Sequence, residues 1–359
     1  MKISELAEKA KIASISLAAS SGDVKGMALS EIAIALQERK NEIVRANKND
    51  LERSEKEDLS APLLKRLKFD ENKIDDVING IKSLIELPDP VGQTLSATEL
   101  DKGLELFKVS CPIGVIGVIF ESRPDALVQI STLCLKSGNS VLLKGGSEAM
   151  ETNRILAEVI SEATLKAGIP EGWLQILETR SDVNEMLKMD EYIDLIIPRG
   201  SNEFVKYIMD NSNIPVLGHA DGICHCYIDR DADINMAISI AVDSKVQYVA
   251  VCNAAETLLV HGAIAKDVLP GLKKELDRHN VELVGCNRTA EIIEVKAATE
   301  EDWKTEYLDY KLSIKIVDSL EDAVNHINKY GSGHTDSIIT SNKDTAGKFM
   351  DLVDSGNVF

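Results

Sequence analysis

The sequence has no apolar run approaching the ~20 residues that a membrane-spanning helix requires. It is also short of positive charge: 40 Lys and Arg stand against 59 Asp and Glu, a formal net charge of −19. So acidic a surface repels nucleic acid and anionic lipid, which excludes both as main partners. No disulfide framework is legible. The six cysteines are scattered at 111, 134, 224, 226, 252 and 286 without secretory features, and they read as reduced thiols of a cytoplasmic protein. The amino terminus is not a signal peptide either, because Glu5 and Glu8 precede a weakly apolar run at 12–19 that suits an amphipathic helix. Internal repeats, low-complexity linkers and the GxGxxG fingerprint are all missing.

What remains is a chain of 359 residues, 44% hydrophobic and 28% charged, with room for about two ordinary globular domains. A small anionic ligand is compatible with the overall charge only if its pocket supplies concentrated positive charge of its own. Residues 2–87 carry a helical period, broken by Ser21-Gly22-Asp23 and ended by Asp89-Pro90, since a residue before proline avoids helical angles. Two alternating segments, 93–100 and 104–109, flank Asp101-Lys102-Gly103 and predict a β-hairpin. A lone two-stranded ribbon is marginal in water, so this arm is expected to lie on another surface or another subunit. From Gly114, short apolar runs (115–120, 141–144, 174–177, 193–197, closing with 223–228) alternate with helical ones, the pattern of a parallel sheet covered on both faces. A helix at 234–242 precedes a second α/β set, with strands expected at 257–261, 281–284, 313–317 and 337–340.

Five constellations carry chemistry. Gly114 to Pro124 places Arg123 at the carboxyl end of a buried strand, the edge where open α/β folds bind ligands. Its glycines alone signify no more than close packing. Lys144-Gly145-Gly146-Ser147 follows another strand, and with Ser147 as a helix cap it suits either a ribose or phosphate or a plain strand–turn–helix junction. Arg199-Gly200-Ser201 repeats that design. His219, Cys224, His225 and Cys226 invite a metal, but a strand points Cys224 and Cys226 one way and His225 the other. No second pair stands at zinc spacing, so buried thiols are the better account and no metal is expected. Cys252-Asn253 lies at a helix-to-strand junction where backbone amides could stabilise a thiolate and Asn253 could donate to an oxyanion. Composition cannot choose Cys252 over the other cysteines.

Read together, these segments resemble the gamma-glutamyl phosphate reductase family of the aldehyde dehydrogenase superfamily, over nearly the whole chain. The strings are VIFESRPDALVQI (118–130), LLKGG (142–146), IPRGSN (197–202), HADGICHCYID (219–229), CNAAETLLVH (252–261), EDWKTEYL (301–308) and INKYGSGHTDSIIT (327–340). Their wording is similar to the reductase half of plant-type pyrroline-carboxylate synthetases, without a kinase domain.

The resemblance implies an α/β, aldehyde-dehydrogenase-like fold of two doubly wound domains with a β-hairpin oligomerisation arm. On that basis 1–92 and 111–240 form an NADP-binding domain, 93–110 the arm, and 241–359 a catalytic domain. It implies NADPH-dependent reduction of L-glutamyl 5-phosphate to L-glutamate 5-semialdehyde in proline biosynthesis, through a thioester on Cys252. Asn253 assists, Arg123 and Arg199 hold substrate, and Lys144, Gly145, Gly146, Ser147, Gly200, Ser201 and Glu306 hold NADP. Ser147 stands where NAD-preferring relatives often carry a glutamate, and Tyr307-Leu308 replaces the usual Phe-Gly after Glu306. Val216-Leu217-Gly218-His219 lacks the water-activating carboxylate of hydrolytic relatives, as suits phosphate as the acyl acceptor. A homo-oligomer and an association with glutamate kinase are expected. Family members continue several dozen residues past the equivalent of Phe359, so a fragment or a truncated chain is expected. The alternatives are a CoA-linked acylating aldehyde dehydrogenase and an inactive truncated homologue.

Overall fold

In the computed structural model, every residue except Met1, Ser60, Ser122, Ser201, His219 and Ala220 is described. The chain divides into two compact units, residues 1–219 and 220–359.

The first unit opens with helices α1 (Ile3–Ala18), α2 (Gly22–Glu38), α3 (Lys40–Lys56), α4 (Ala61–Leu67) and α5 (Glu71–Glu86). Strands β1 (Thr94–Asp101) and β2 (Leu104–Val109) then pair antiparallel as a separate ribbon, turning at Gly103 with φ +76. Every residue of that ribbon is exposed, Leu95, Leu100, Leu104, Leu106 and Phe107 among them. An isolated hairpin presenting this much apolar surface is the geometry of an arm rather than of a core element.

There follow β3 (Val115–Ile119), α6 (Pro124–Lys136), β4 (Ser140–Lys144), α7 (Met150–Lys166), β5 (Leu174–Ile176), α8 (Arg180–Met186), β6 (Leu195–Pro198) and α9 (Asn202–Asn211). The sheet order is β5-β4-β3-β6, all parallel. Strands β3 and β4 are buried throughout, because helices cover both faces. The period of two distributes their side chains: Ile116, Val118, Val141 and Leu143 enter one core, and Val115, Ile119 and Leu142 the other. Successive strands run outward from β3 to β5, and β6 then returns to the far side of β3. That reversal leaves a crevice at the strands' carboxyl ends.

The second unit contains β7 (Cys224–Ile228), α10 (Ile234–Val246), β8 (Ala255–His261), α11 (Ala265–Arg278), β9 (Glu282–Gly285), α12 (Asn287–Ala290), β10 (Lys296–Ala297), β11 (Lys311–Val317), α13 (Leu320–Tyr330), β12 (Thr335–Ile339), α14 (Lys343–Leu352) and β13 (Asn357–Val358). These strands form a parallel sheet in the order β10-β9-β11-β8-β7-β12-β13. The same two-sided alternation sends Cys226, Ile228, Leu258 and Val260 into one core and Tyr227 and Leu259 into the other.

The strand at 223–228 was expected to close the first sheet, with a boundary at 240/241. It instead pairs with β8 and β12 of the second, so the division falls at 219/220. Hydrophobic periodicity identifies a buried strand but is silent on its neighbours. No helix among the described residues is long and apolar enough to cross a membrane.

Candidate active site

In the first unit, the carboxyl ends of the strands open into a cleft of ≈870 Å³. Ile119, Phe120 and Glu121 enter it from the end of β3, Lys144 to Glu148 from the end of β4, Glu178 after β5, and Phe204 and Tyr207 from α9. Leu59 and Leu63 close one side. Four of the residues expected to hold cofactor, Lys144, Gly145, Gly146 and Ser147, thus line one cavity. Its volume lies in the range of small-molecule sites, and its walls combine the rings of Phe120, Phe204 and Tyr207 with the Lys144 ammonium and the carboxylates of Glu121, Glu148 and Glu178.

A side chain at either glycine would meet the tip of a neighbouring one, which must then turn aside. A Cβ on Gly145 would stand 2.2 Å from the Asn153 amide nitrogen, and one on Gly146 would stand 1.9 Å from a Glu148 carboxylate oxygen. Lys144 is buried to its ammonium, which donates to the Gly145 carbonyl.

Ser147 does not cap α7. It opens a single 3₁₀ turn, Ser147–Ala149, with no side-chain cap. The cap comes from a distant helix: the Asp50 carboxylate of α3 accepts the backbone N–H of Glu151 at 3.2 Å and of Thr152 at 2.8 Å, together with the Thr152 hydroxyl at 2.7 Å. Arg53, one turn further along α3, pairs with Asp50 and donates to the carbonyls of Ser147 and Glu148. The Glu151 and Thr152 amides of α7 are therefore satisfied inside the protein and are not free for a phosphate. Nothing local in the sequence marks Asp50 and Arg53, which lie some hundred residues before the loop they hold.

Arg199 directly follows β6, whereas Arg123 lies four residues beyond β3 at the N-cap of α6; the two strands are adjacent and register Ile119 against Pro198. Both are exposed, and neither lines the cleft. Arg123 pairs with Asp125 at 3.0 Å, and the Arg199 amide donates to the Ile119 carbonyl at 2.7 Å. Gly200 follows in the tight space beside Phe204 and Glu121. Ser201 and His219 lie outside the described residues.

In the second unit, Cys252 and Asn253 occupy the two central positions of a turn closed by the Ala254 amide on the Val251 carbonyl at 3.1 Å. This turn leads directly into β8. Cys252 is half-buried. Asn253 is exposed and edges a separate cavity of ≈300 Å³. Burial pushes the Cys134, Cys224 and Cys226 thiols up to about 12, 12 and 11, which disqualifies them as thiolates at neutral pH. Burial also works against ionisation of Cys286, but the amides of Ile316, Thr289 and Arg288 outweigh it and hold that thiol below its ordinary value.

The Cys252 backbone is closely packed. The Cys224 thiol donates to its carbonyl at 3.2 Å, and Gly222 lies directly against it. Glu306 is half-buried; burial raises its carboxyl pKa above the usual range, with the Gly222 amide opposing and Asp221 adding to the rise. Leu308, two residues on, holds a left-handed φ of 51 where the resemblance supplies glycine, and its amide is anchored on Glu256 at 3.3 Å. Glu306 thus lies in the same unit as the Cys252 turn. Among the described residues, no group of three or more His, Cys, Asp or Glu could hold a metal.

The aldehyde dehydrogenase family profile matches residues 2–290. A gamma-glutamyl phosphate reductase of Acetivibrio thermocellus is 72% identical over the entire chain, which covers 83% of that protein. One from Methanococcoides burtonii is 52% identical over 98% of the chain and 80% of its own length. The crystal structure of the gamma-glutamyl phosphate reductase from Thermotoga maritima superposes with a TM-score of 0.97 at 40% identity, covering 100% of this chain and 87% of that one. The chain belongs to the aldehyde dehydrogenase family and, within it, to the gamma-glutamyl phosphate reductases.

Proposed function

We propose that the chain reduces L-glutamyl 5-phosphate to L-glutamate 5-semialdehyde with NADPH, using Cys252 as nucleophile. The observation that carries this is the half-buried Cys252, set on a closed turn at the mouth of β8 while three of the other thiols are buried beyond ionisation.

Aldehyde dehydrogenase family reductases use a nicotinamide cofactor, and the cleft around Lys144, Gly145 and Gly146 fits one. Apolar rings suit a base, and the two glycines let a backbone approach a diphosphate closely. Lys144 is the cation for a phosphate or ribose there. When bound, the cofactor supplies the hydride. The Cys252 thiolate attacks the acyl carbon, the carbon–oxygen bond to phosphate breaks, and inorganic phosphate leaves a thioester. Reduction of that carbonyl gives a thiohemiacetal, whose carbon–sulfur bond then breaks to release semialdehyde and regenerate the thiolate. Asn253 is assigned to the oxyanion and Glu306 to the nicotinamide ribose, while Gly200 and Ser201 complete the cofactor contacts. The acyl phosphate is unstable in water and comes from an ATP-dependent kinase acting on glutamate, and that kinase is the proposed partner. The apolar hairpin suits assembly into a homo-oligomer, and the free thiols suit a reducing cytoplasm.

The test is the reverse assay with semialdehyde, phosphate and NADP. Phosphate-dependent appearance of NADPH is the expected result, and activity that requires CoA instead of phosphate overturns the proposal.

Two substitutions probe the assignments. Ser147→Glu should weaken NADPH binding about tenfold or more and leave NADH nearly unchanged, because a carboxylate repels the 2′-phosphate. A native chain that uses NADH better than NADPH contradicts it. Arg123→Met and Arg199→Met should raise the apparent KM for phosphate or semialdehyde roughly ten- to a hundredfold, the cost of a lost charged hydrogen bond. If both retain native constants for both compounds, the arginines are not substrate ligands.

A further inference from the structure

We infer that Gly222 and Cys224 are positioning residues that fix the backbone of the Cys252 turn, an inference resting on Cys252 being the nucleophile. A Cβ at Gly222 would stand 2.0 Å from the Cys252 carbonyl oxygen and 2.7 Å from both its carbonyl carbon and its Cα. All three are backbone atoms, so no rotamer change relieves the clash and the turn itself must move. The φ of Gly222 is not in the left-handed region, so its glycine serves proximity rather than backbone conformation.

The contact is held in place from two sides. The Ile223 amide donates to the Ser332 hydroxyl at 2.9 Å. Cys224 then enters β7 and returns its S–H to the Cys252 carbonyl at 3.2 Å. Residues 222–224 are therefore a backing plate for the Cys252 turn. The buried, protonated Cys224 acts here as a donor and not as a second nucleophile.

The experiment compares Gly222→Ala, Cys224→Ala, Cys224→Ser and Cys252→Ser by reverse kinetics and by the pH profile of iodoacetamide alkylation at Cys252, read by mass spectrometry. A shift of about 1 Å at a reacting group costs on the order of a hundredfold, so Gly222→Ala should lose about that in kcat with KM for NADP little changed. Its alkylation profile should move as well, which a purely structural glycine would not produce. Cys224→Ala should lose roughly fivefold, about one neutral hydrogen bond, and Cys224→Ser, which keeps a donor, should recover most of it.

Folded Gly222→Ala with native kcat and a native profile overturns the inference. If Gly222→Ala does not fold, Cys224→Ala decides: native kcat overturns the inference, and a loss that Cys224→Ser recovers supports it. Failure of the parent reading is separately visible, because Cys252→Ser would then remain active.

Discussion

Cys252→Ser should fold normally and lose phosphate-dependent NADP reduction by about four orders of magnitude or more. Serine is nearly isosteric and the turn is closed by backbone, through the Ala254 amide on the Val251 carbonyl, so nothing structural depends on sulfur there. Its hydroxyl is a far weaker nucleophile than a thiolate unless a base activates it, and losing a covalent nucleophile is among the most damaging single changes to an enzyme. The thiol chemistry supplies an internal control. Cys286, held below its ordinary pKa by neighbouring amides, should also be alkylated readily, so labelling alone does not identify the nucleophile. Activity should follow Cys252 and not Cys286: Cys286→Ser should keep near-native rates. Near-native turnover in Cys252→Ser would sink the assignment.

Lys245→Met should destabilise the second unit by about 3–5 kcal/mol, the cost of stranding a buried charge. Lys245 on α10 and Glu256 on β8 meet at 2.6 Å with both side chains fully buried. Burial pushes the lysine down and the glutamate up, and their contact opposes both shifts. With about 2–4 °C of melting temperature per kcal/mol in a unit of this size, the expected loss is roughly 6–20 °C. The double variant Lys245→Met/Glu256→Leu should recover most of it, because replacing both charges by apolar groups removes the unpaired one. Thermal denaturation of the single and double variants measures this. A single variant that melts within 2 °C or so of the native protein, on the same per-kcal scale, shows that water reaches the pair.

Much of the fold is legible in the sequence because it rests on local patterns. The hairpin follows from alternation around Lys102-Gly103, β3 from a short apolar run after Gly114 and β4 from one before Gly145. What local pattern cannot show is pairing across long separations. The strand at 224–228 has the composition of either sheet, and only its register with β8 and β12 assigns it to the second.

The same limit applies to the site. Lys144, Gly145, Gly146 and Ser147 are found together because they are contiguous in sequence, and the cleft gathers all four. Ser147 fails as a helix cap because Asp50, a hundred residues upstream, occupies that role. Gly222 falls inside the string at 219–229, but nothing in the sequence marks it as touching Cys252. Its importance is a distance to a backbone thirty residues away, and a glycine in a loop is ordinarily read as a turn.

Asp50 also bears on how freely this architecture can be recombined. Its carboxylate seals two amides at the start of α7, and Arg53 beside it holds the carbonyls of Ser147 and Glu148. The amino-terminal helices and the glycine loop are consequently not interchangeable modules. A chimaera that took α3 from a relative lacking this Asp–Arg pair would inherit a complete loop sequence and still leave two backbone donors and two backbone acceptors unmatched beside the cleft. The two segments have to be inherited together, and a substitution in either one narrows what the other can tolerate.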